Sequence, residues 1–423
     1  MTPAAPTPTK RQIGFKELVA LVAMLMAMNA LAIDSMLPAL PAIGEGLGVG
    51  DANQRQWVVT AYLLGFGVTQ IIYGPLADRF GRRPVLFTGV AIYVLFSLLA
   101  AFAWSFEALL AARVLQGVGA ASTRVLAVAI VRDQYEGRRM AQVMSLSFLV
   151  FLAVPILAPS VGALILLLGP WRWIFAVLGL FGVAILIWAG LRLPETLKPE
   201  NRMPIDLRRI GAAAWETVSN RLSIGYTLAM AVIVGCLFGF INSAQQVFEV
   251  ALGNAAIFPI IFAMVGCSMA AASLLNAGLV QRLGQRLLSH TALIGFTLFS
   301  AAHLAVALSG HETLITFAAL QALTMFCFGF IGGNFGSMAM TPLGHIAGTA
   351  AAVQGVISSV GGALIGFFIG QQFNGTTVPM TLGFTVCGLA TIAIVLWTER
   401  GRLFVAREEA DQTLNTPSSG NAS

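Results

Sequence analysis

Long apolar runs and short polar breaks alternate along this chain. The runs fall at about 17–40, 54–75, 84–103, 108–130, 141–168 and 172–191. A polar segment covers 193–221, and six more runs follow at about 222–246, 255–280, 288–308, 313–337, 346–371 and 378–398. A helix needs ~20 residues to cross an apolar core of ~30 Å, and each run is long enough for one crossing. The pattern predicts an all-α membrane protein with twelve transmembrane helices. It divides into an N-terminal tail at 1–16, a six-helix half at 17–192, a linker at 193–221, a second half at 222–400 and a tail at 401–423. The last tail is polar, ending Thr-Pro-Ser-Ser-Gly-Asn-Ala-Ser, and reads as disordered. The basic start and the small pair Ala30 and Ala32 raise a cleaved signal peptide as the alternative to a retained first helix. Cleavage would remove one run and break the repeat described below.

Composition agrees with the pattern. Of 423 residues, 57% are hydrophobic and 10% charged, and mean hydropathy is +0.84. A soluble globule carries about 25% charge. The net charge of +6 is scattered through short breaks, which suits membrane topology and not a nucleic-acid surface. Cys236, Cys267, Cys327 and Cys387 lie inside apolar runs, and the histidines are dispersed. Neither a disulfide framework, a metal site nor a cofactor is expected.

Charge position orients the chain. With the N-terminus inside, 20 of the 24 lysines and arginines fall on the inner side. Arg55 and Arg172 fall outside, and Arg113 and Arg124 fall within a span. The asymmetry predicts that both termini are cytoplasmic. A shift of 203 residues superposes Leu76, Arg79, Gly81 and Arg83 on Leu279, Arg282, Gly284 and Arg286, while Asp78 meets Gln281. This weak repeat fits two parallel halves.

The densest polar stretch between spans is Gly74-Pro-Leu-Ala-Asp-Arg-Phe-Gly-Arg-Arg-Pro84. Gly74 and Gly81 permit tight turns and close helix contact. Pro75 and Pro84 suit a helix edge and a helix start. Asp78 can accept charge-assisted hydrogen bonds, and Arg79, Arg82 and Arg83 mark a cytoplasmic loop. The string resembles the loop motif G-x-L-a-D-r-x-G-R-[RK] between the second and third helices of the major facilitator superfamily. By that resemblance it is a cytoplasmic gate motif. Asp78 would clamp the inner gate through a neighbouring helix end or the connection holding Arg132, Arg138 and Arg139.

A charge inside a span costs at least ~2.5–3.5 kcal/mol, so such residues are functional candidates. Asp34 is the only carboxylate deep in a run, and Arg113 lies in the fourth. Counted from the run ends at ~1.5 Å per residue, both sit about 8–9 Å below the outer boundary, so they could pair. The bland alternative is a fixed ion pair setting helix registry. Arg124, eleven residues on, shares a helix face with Arg113. It either lines a cavity or snorkels to the headgroups. Asn29, Gln116 and Asn242 are further polar candidates for a cavity, although such residues more often bond helix to helix.

Three more strings carry family resemblance. Arg113-Val-Leu-Gln-Gly-Val-Gly-Ala120 resembles the superfamily's fourth-helix motif, whose arginine is implicated in proton coupling. Ala153-Val-Pro-Ile-Leu-Ala-Pro-Ser-Val-Gly-Ala163 resembles the antiporter motif g-x-x-x-G-P-x-x-G-G. Pro159 and Gly162 match it, Ala158 and Ala163 replace glycines, and Pro155 is additional. Both prolines should bend the fifth helix. Ile33-Asp34-Ser-Met-Leu-Pro-Ala-Leu-Pro41 and Gly169-Pro-Trp-Arg-Trp-Ile-Phe175 are similar to the bicyclomycin-resistance (Bcr/CflA) branch of drug:proton antiporters.

The resemblance implies a monomeric multi-pass protein of the inner membrane, which exports small amphipathic drugs against inward proton flow. Asp34 and Arg113 would couple the proton. A proton-coupled importer on the same fold is the nearest alternative. A non-transporting receptor and a membrane-embedded enzyme are further ones. The enzyme would need clustered nucleophile, base or metal ligands, and the sequence shows lone histidines and apolar-run cysteines.

Overall fold

The structure is a computed structural model. It describes residues 13–135 and 137–404, with side chains except at 137, 138, 141, 145 and 148–152. The outer parts of both tails, at 1–12 and 405–423, and the side chain of Arg138 lie outside the described residues.

Twelve long α-helices, of 20 to 32 residues each, and no strand are found among the described residues. They are α1 (Phe15–Asp34), α2 (Trp57–Phe80), α3 (Arg82–Ala101), α4 (Phe106–Gln134), α5 (Gly137–Leu168) and α6 (Arg172–Arg192), then α8 (Arg221–Gln246), α9 (Phe258–Leu283), α10 (Gln285–Ser309), α11 (Leu314–Met340), α12 (Ala347–Gln371) and α13 (Val378–Thr398). Between them lies a shorter helix, α7 (Leu207–Ser219). Ten stretches among the described residues are long and apolar enough to cross a membrane. One of these, Leu314–Gln371, runs through α11 and α12, and α5 adds a shorter apolar helix, Ala153–Leu168. Leu180, Ile260, Leu298, Ile315 and Phe368 are each at least 63% exposed on helix exteriors. Such a belt is costly in water and natural in lipid.

Short connections make neighbouring helices antiparallel, so the bundle has two ends. The terminus end holds the start of α1 and the end of α13. The distal end holds the α1–α2 and α12–α13 connections. The helices pack as two groups with the same pattern. In the first, α1 packs on α5 and α4, α4 on α2 and α3, and α3 on α6. In the second, α8 packs on α12 and α11, α11 on α9 and α10, and α10 on α13. The groups meet where α2 crosses α12 and α5 crosses α9. The repeat legible in four matching residues is thus a repeat of packing. Gly81 and Gly284, its fixed points, both have positive φ, at 101° and 78°.

Two local expectations change. The stretch from Gly74 is not an open loop, because α2 continues through Pro75 to Phe80 and α3 begins at Arg82. Only Gly81 breaks the helix, and its positive φ is a conformation that side chains with a Cβ resist. Nothing lies within 4 Å of a Cβ built on Gly74, so that glycine serves no close helix contact. The first helix ends at Asp34, not near Leu40, and the chain turns through Leu37–Ala39 into a short helix, Leu40–Gly46. Pro38 and Pro41 lack the N–H donors that a continuing α1 would need. The helix α5 runs unbroken through Pro155 and Pro159.

Candidate functional site

Asp34 closes α1 and is only 4% exposed. Its Oδ1 is buried without a hydrogen-bond partner. The next carbonyl, that of Ser35, lies against α5, where a Cβ on Gly162 would come within 1.7 Å of it. Gly162 therefore lets α5 press on the chain immediately after Asp34.

Arg113 is fully buried, yet it makes no ion pair with Asp34. Its Nη2 donates to the Ala32 carbonyl at 3.0 Å, its Nε to Val58 at 2.9 Å, and its Nη1 to Gln116 Oε1 at 2.6 Å. The guanidinium also lies over the rings of Tyr62 at 4.5 Å and Phe175 at 5.8 Å. Ala32 is in the last turn of α1, whose carbonyls lack intrahelical donors and carry the negative end of the helix dipole. Arg113 thus caps α1 at the turn that holds Asp34. The direct pair expected from matching depth gives way because the fork reaches three oxygens at once. Gln116 is itself locked, donating to Ser97 Oγ at 2.7 Å. It holds α4 to α3 and does not line a cavity. Gly117 and Gly119 permit this packing, since their added Cβ atoms would lie 2.2 Å from the Tyr62 carbonyl and 2.4 Å from the Tyr93 nitrogen.

Asn29, about a turn and a half before Asp34, bridges three helices. It accepts from Tyr62 Oη at 3.0 Å and donates to Thr123 Oγ1 at 3.1 Å. The next residue, Arg124, is exposed in mid-helix. Asn242 in α8 is 1% exposed, and neither of its polar side-chain atoms has a partner. The same is true of both side-chain polar atoms of Gln321 in α11.

At the terminus end, Asp78 accepts from Arg82 at 2.6 Å, and Arg82 also reaches Asp133 at the end of α4 at 2.8 Å. The Glu195 carboxylate accepts the backbone N–H groups of Arg82 and Arg83 at 2.8 and 3.1 Å, filling the N-terminus of α3. Arg83 donates to the Gly190 carbonyl at 2.7 Å, while Arg79 lies over Phe80. Here Asp78 pairs within the first group, with Arg82 at the start of the neighbouring helix α3 and not with Arg132 or Arg139. Sequence reasoning missed Asp133 and Glu195. The signal for both was available: an acid at each helix end facing three arginines.

Also missed was a layer of amides at the distal end. Gln56 donates to Gln246 Oε1 at 2.7 Å and to the Gly370 carbonyl at 3.0 Å. Gln246 donates to Asn53 Oδ1 at 3.0 Å, and Asn53 donates to the carbonyls of Gln371 and Phe373, both at 3.1 Å. Gln371 returns bonds to the Asn53 carbonyl at 2.6 Å and to Gln56 Oε1 at 3.2 Å. These seven bonds join α2 and its approach to α8 and α12. Trp57 against Phe367 at 4.2 Å continues the seal, and Gln70 donates to Ser359 midway down at 3.1 Å. The two groups are locked together at the distal end.

Comparison with known proteins places this arrangement. The profile of the Major Facilitator Superfamily matches residues 22–367. The MFS-type transporter YdgK of Bacillus subtilis is 31% identical over 363 residues, covering 85% of this chain and 90% of that one. Multidrug resistance protein MdtL of Salmonella heidelberg is 30% identical over 385 residues, covering 89% and 94%. Among solved structures, a D-xylose-proton symporter superposes with a TM-score of 0.70 at 15% identity, covering 93% of this chain and 98% of its own. The human organic anion transporter MFSD10 gives 0.68 at 18%, covering 92% and 100%. These two likenesses speak for the fold alone. The protein is a multi-pass membrane transporter and not an enzyme, and it belongs to the major facilitator superfamily.

Proposed function

We propose that this chain is a proton-coupled exporter of small amphipathic drugs in the bicyclomycin-resistance branch, and that Asp34 carries the proton. The observation that carries the reading is the Asp34 carboxylate. It is buried, it lacks an ion-pair partner, and Oδ1 lacks a hydrogen bond. An ionised carboxylate left in such a place is costly, so a proton belongs to the site's chemistry. Relatives named for multidrug resistance, at about 30% identity, support the substrate class.

In this reading the chain spans the inner membrane twelve times as a monomer, with both termini in the cytoplasm. The split of basic residues supports that orientation. The halves at 17–192 and 222–400, joined by the 193–221 linker, rock about a central cavity. The sealed distal end then faces outward, and under alternating access a seal on that side belongs to the inward-facing state. Arg124, exposed in mid-helix, and Asn242, with unpartnered polar atoms, are the groups this reading offers to a substrate entering from the cytoplasm. Asn29 positions α1 for it. Gln116 belongs to the Arg113 scaffold. Opening of the distal seal would bring Asp34 to the outer medium to take up a proton. Return to the sealed state and drug entry would then drive the proton inward, with Arg113 biasing the exchange by fixing charge at the end of α1. In the opposite state, Asp78 would clamp the cytoplasmic side. One proton moving down 100 mV releases ~2.3 kcal/mol, enough for roughly a fifty-fold gradient of a neutral drug.

Everted membrane vesicles test the direction. Energised accumulation of drug, collapsed by a protonophore, is the expected result. Accumulation only in right-side-out vesicles would make the chain an importer. No movement in either would make it a receptor.

A further inference from the structure

The transport reading leaves α7 without a task. This helix begins after Asp206, whose carboxylate accepts the N–H groups of Arg208 and Arg209 at 2.9 and 3.2 Å. Ala213 and Thr217 are buried where α7 packs on α8 and α12. A second apolar face has no cover. At ~100° per residue, Leu207, Gly211, Trp215 and Val218 share a sector of about 80°, with Arg208 beside Trp215. Leu207 is 77% exposed and Trp215 is 72% exposed.

What covers this face follows from its place. Only Asn220 separates the end of α7 from Arg221, where the membrane-length helix α8 begins. The end of α7 therefore lies within about one turn of the bilayer boundary. The exposed apolar belt near this end includes Trp397 at 50% exposure, whose carbonyl accepts from Arg221 at the start of α8. A tryptophan beside an arginine on an apolar stripe is the make-up of helices that lie in the headgroup region. We propose that α7 is an interfacial helix. Its Leu207–Trp215 face sinks into the leaflet on the terminus side, and Arg208 meets the phosphates of anionic lipids.

The anchor has a mechanical consequence. The Met203 N–H donates to the Asp78 carbonyl at 3.1 Å, and Glu216 pairs with His345 between α11 and α12 at 2.8 Å. The linker thus touches the gate motif of the first group and the second group at once. Lipid under α7 holds both contacts in place.

The test uses full-length protein in vesicles of phosphatidylcholine with or without phosphatidylglycerol, either lipid brominated on its acyl chains. The fluorescence lost on Trp215→Phe isolates that residue. This component should be quenched by brominated lipid and spared by aqueous iodide. It should prefer brominated phosphatidylglycerol, and Arg208→Gln should remove up to about five-fold of that preference. Quenching by iodide and not by brominated lipid would overturn the proposal and leave the face to a protein partner or to the chain's own tail. Equal quenching by both lipids would overturn the headgroup contact. If Trp215→Phe does not fold, trypsin cleavage of the wild type after Arg208 and Arg209 serves instead. Cleavage should slow on transfer from detergent to anionic vesicles with the terminus side outward, and an unchanged rate would contradict burial.

Discussion

A guanidinium taken wholly out of water must find oxygen for its N–H groups, and Arg113 finds three that lie on α1, α2 and α4. A lysine offers a point charge and cannot fill that planar fork. Arg113→Lys should therefore lose about 1–3 kcal/mol, the usual cost of a buried acceptor left unpaired. Thermal unfolding of the purified protein reads this directly, and a variant as stable as wild type would deny the cap on α1. Asn242 makes the opposite prediction. Both its polar atoms already lack partners, so Asn242→Leu should leave stability unchanged or raise it while weakening drug binding. A loss of stability of several degrees in the same assay would show that Asn242 is structural. Arg113 and Asp34 were legible because charge within an apolar run stands out. Their failure to pair was not, since the oxygens Arg113 chose are mostly backbone carbonyls. A carbonyl has no letter in the sequence.

Helix contacts depend on what two surfaces can do together, and there the sequence spoke unevenly. Gly162 stood out in the antiporter-like string, and it indeed lies under the Ser35 carbonyl at the end of α1. A larger residue must push α5 from α1, so Gly162→Val should cost about 1–3 kcal/mol or more by overpacking and loosen the distal seal. The amide seal gave no such signal. Asn53, Gln56, Gln246 and Gln371 lie far apart in the chain, and each alone reads as an ordinary polar residue at a helix end. Only the crossing of α2 and α12 makes them a layer. Gln56→Leu removes three of its hydrogen bonds. Only Gln246 Oε1 is left unpaired, because the Gly370 carbonyl keeps Phe373 and Gln371 keeps Asn53; one such loss costs about 1–3 kcal/mol, so the distal-open population should rise about five- to 150-fold. Spin-label distances across the distal end should lengthen accordingly, and an unchanged distribution would mean that the amides do not hold the seal. The helix inside the linker was hidden for a simpler reason. The linker's average composition is polar, which hides the stripe that folds into α7.

At the scale of the molecule, the apolar runs, the charge asymmetry and the faint repeat were enough to draw two matched groups, because lipid imposes length and sidedness on every crossing. The two copies of the gate motif are not equivalent, however. Asp78 pairs with Arg82, which also pairs with Asp133, whereas Gln281 is exposed and the second copy binds Glu399 through Arg286. Transport should therefore suffer more from Asp78→Ala than from Gln281→Ala, and equal losses would erase the distinction. Conformation could not be read from the chain, since both states share one sequence and differ only in which end is joined. The proton route unites these levels, for it requires one carboxylate to meet opposite sides in turn. Asp34→Asn should retain neutral-drug binding and lose uphill export. The most direct measurement is proton release on adding drug to detergent-solubilised protein near neutral pH. The account predicts release from wild type and none from Asp34→Asn; equal release from both would contradict it and place the coupling carboxylate elsewhere.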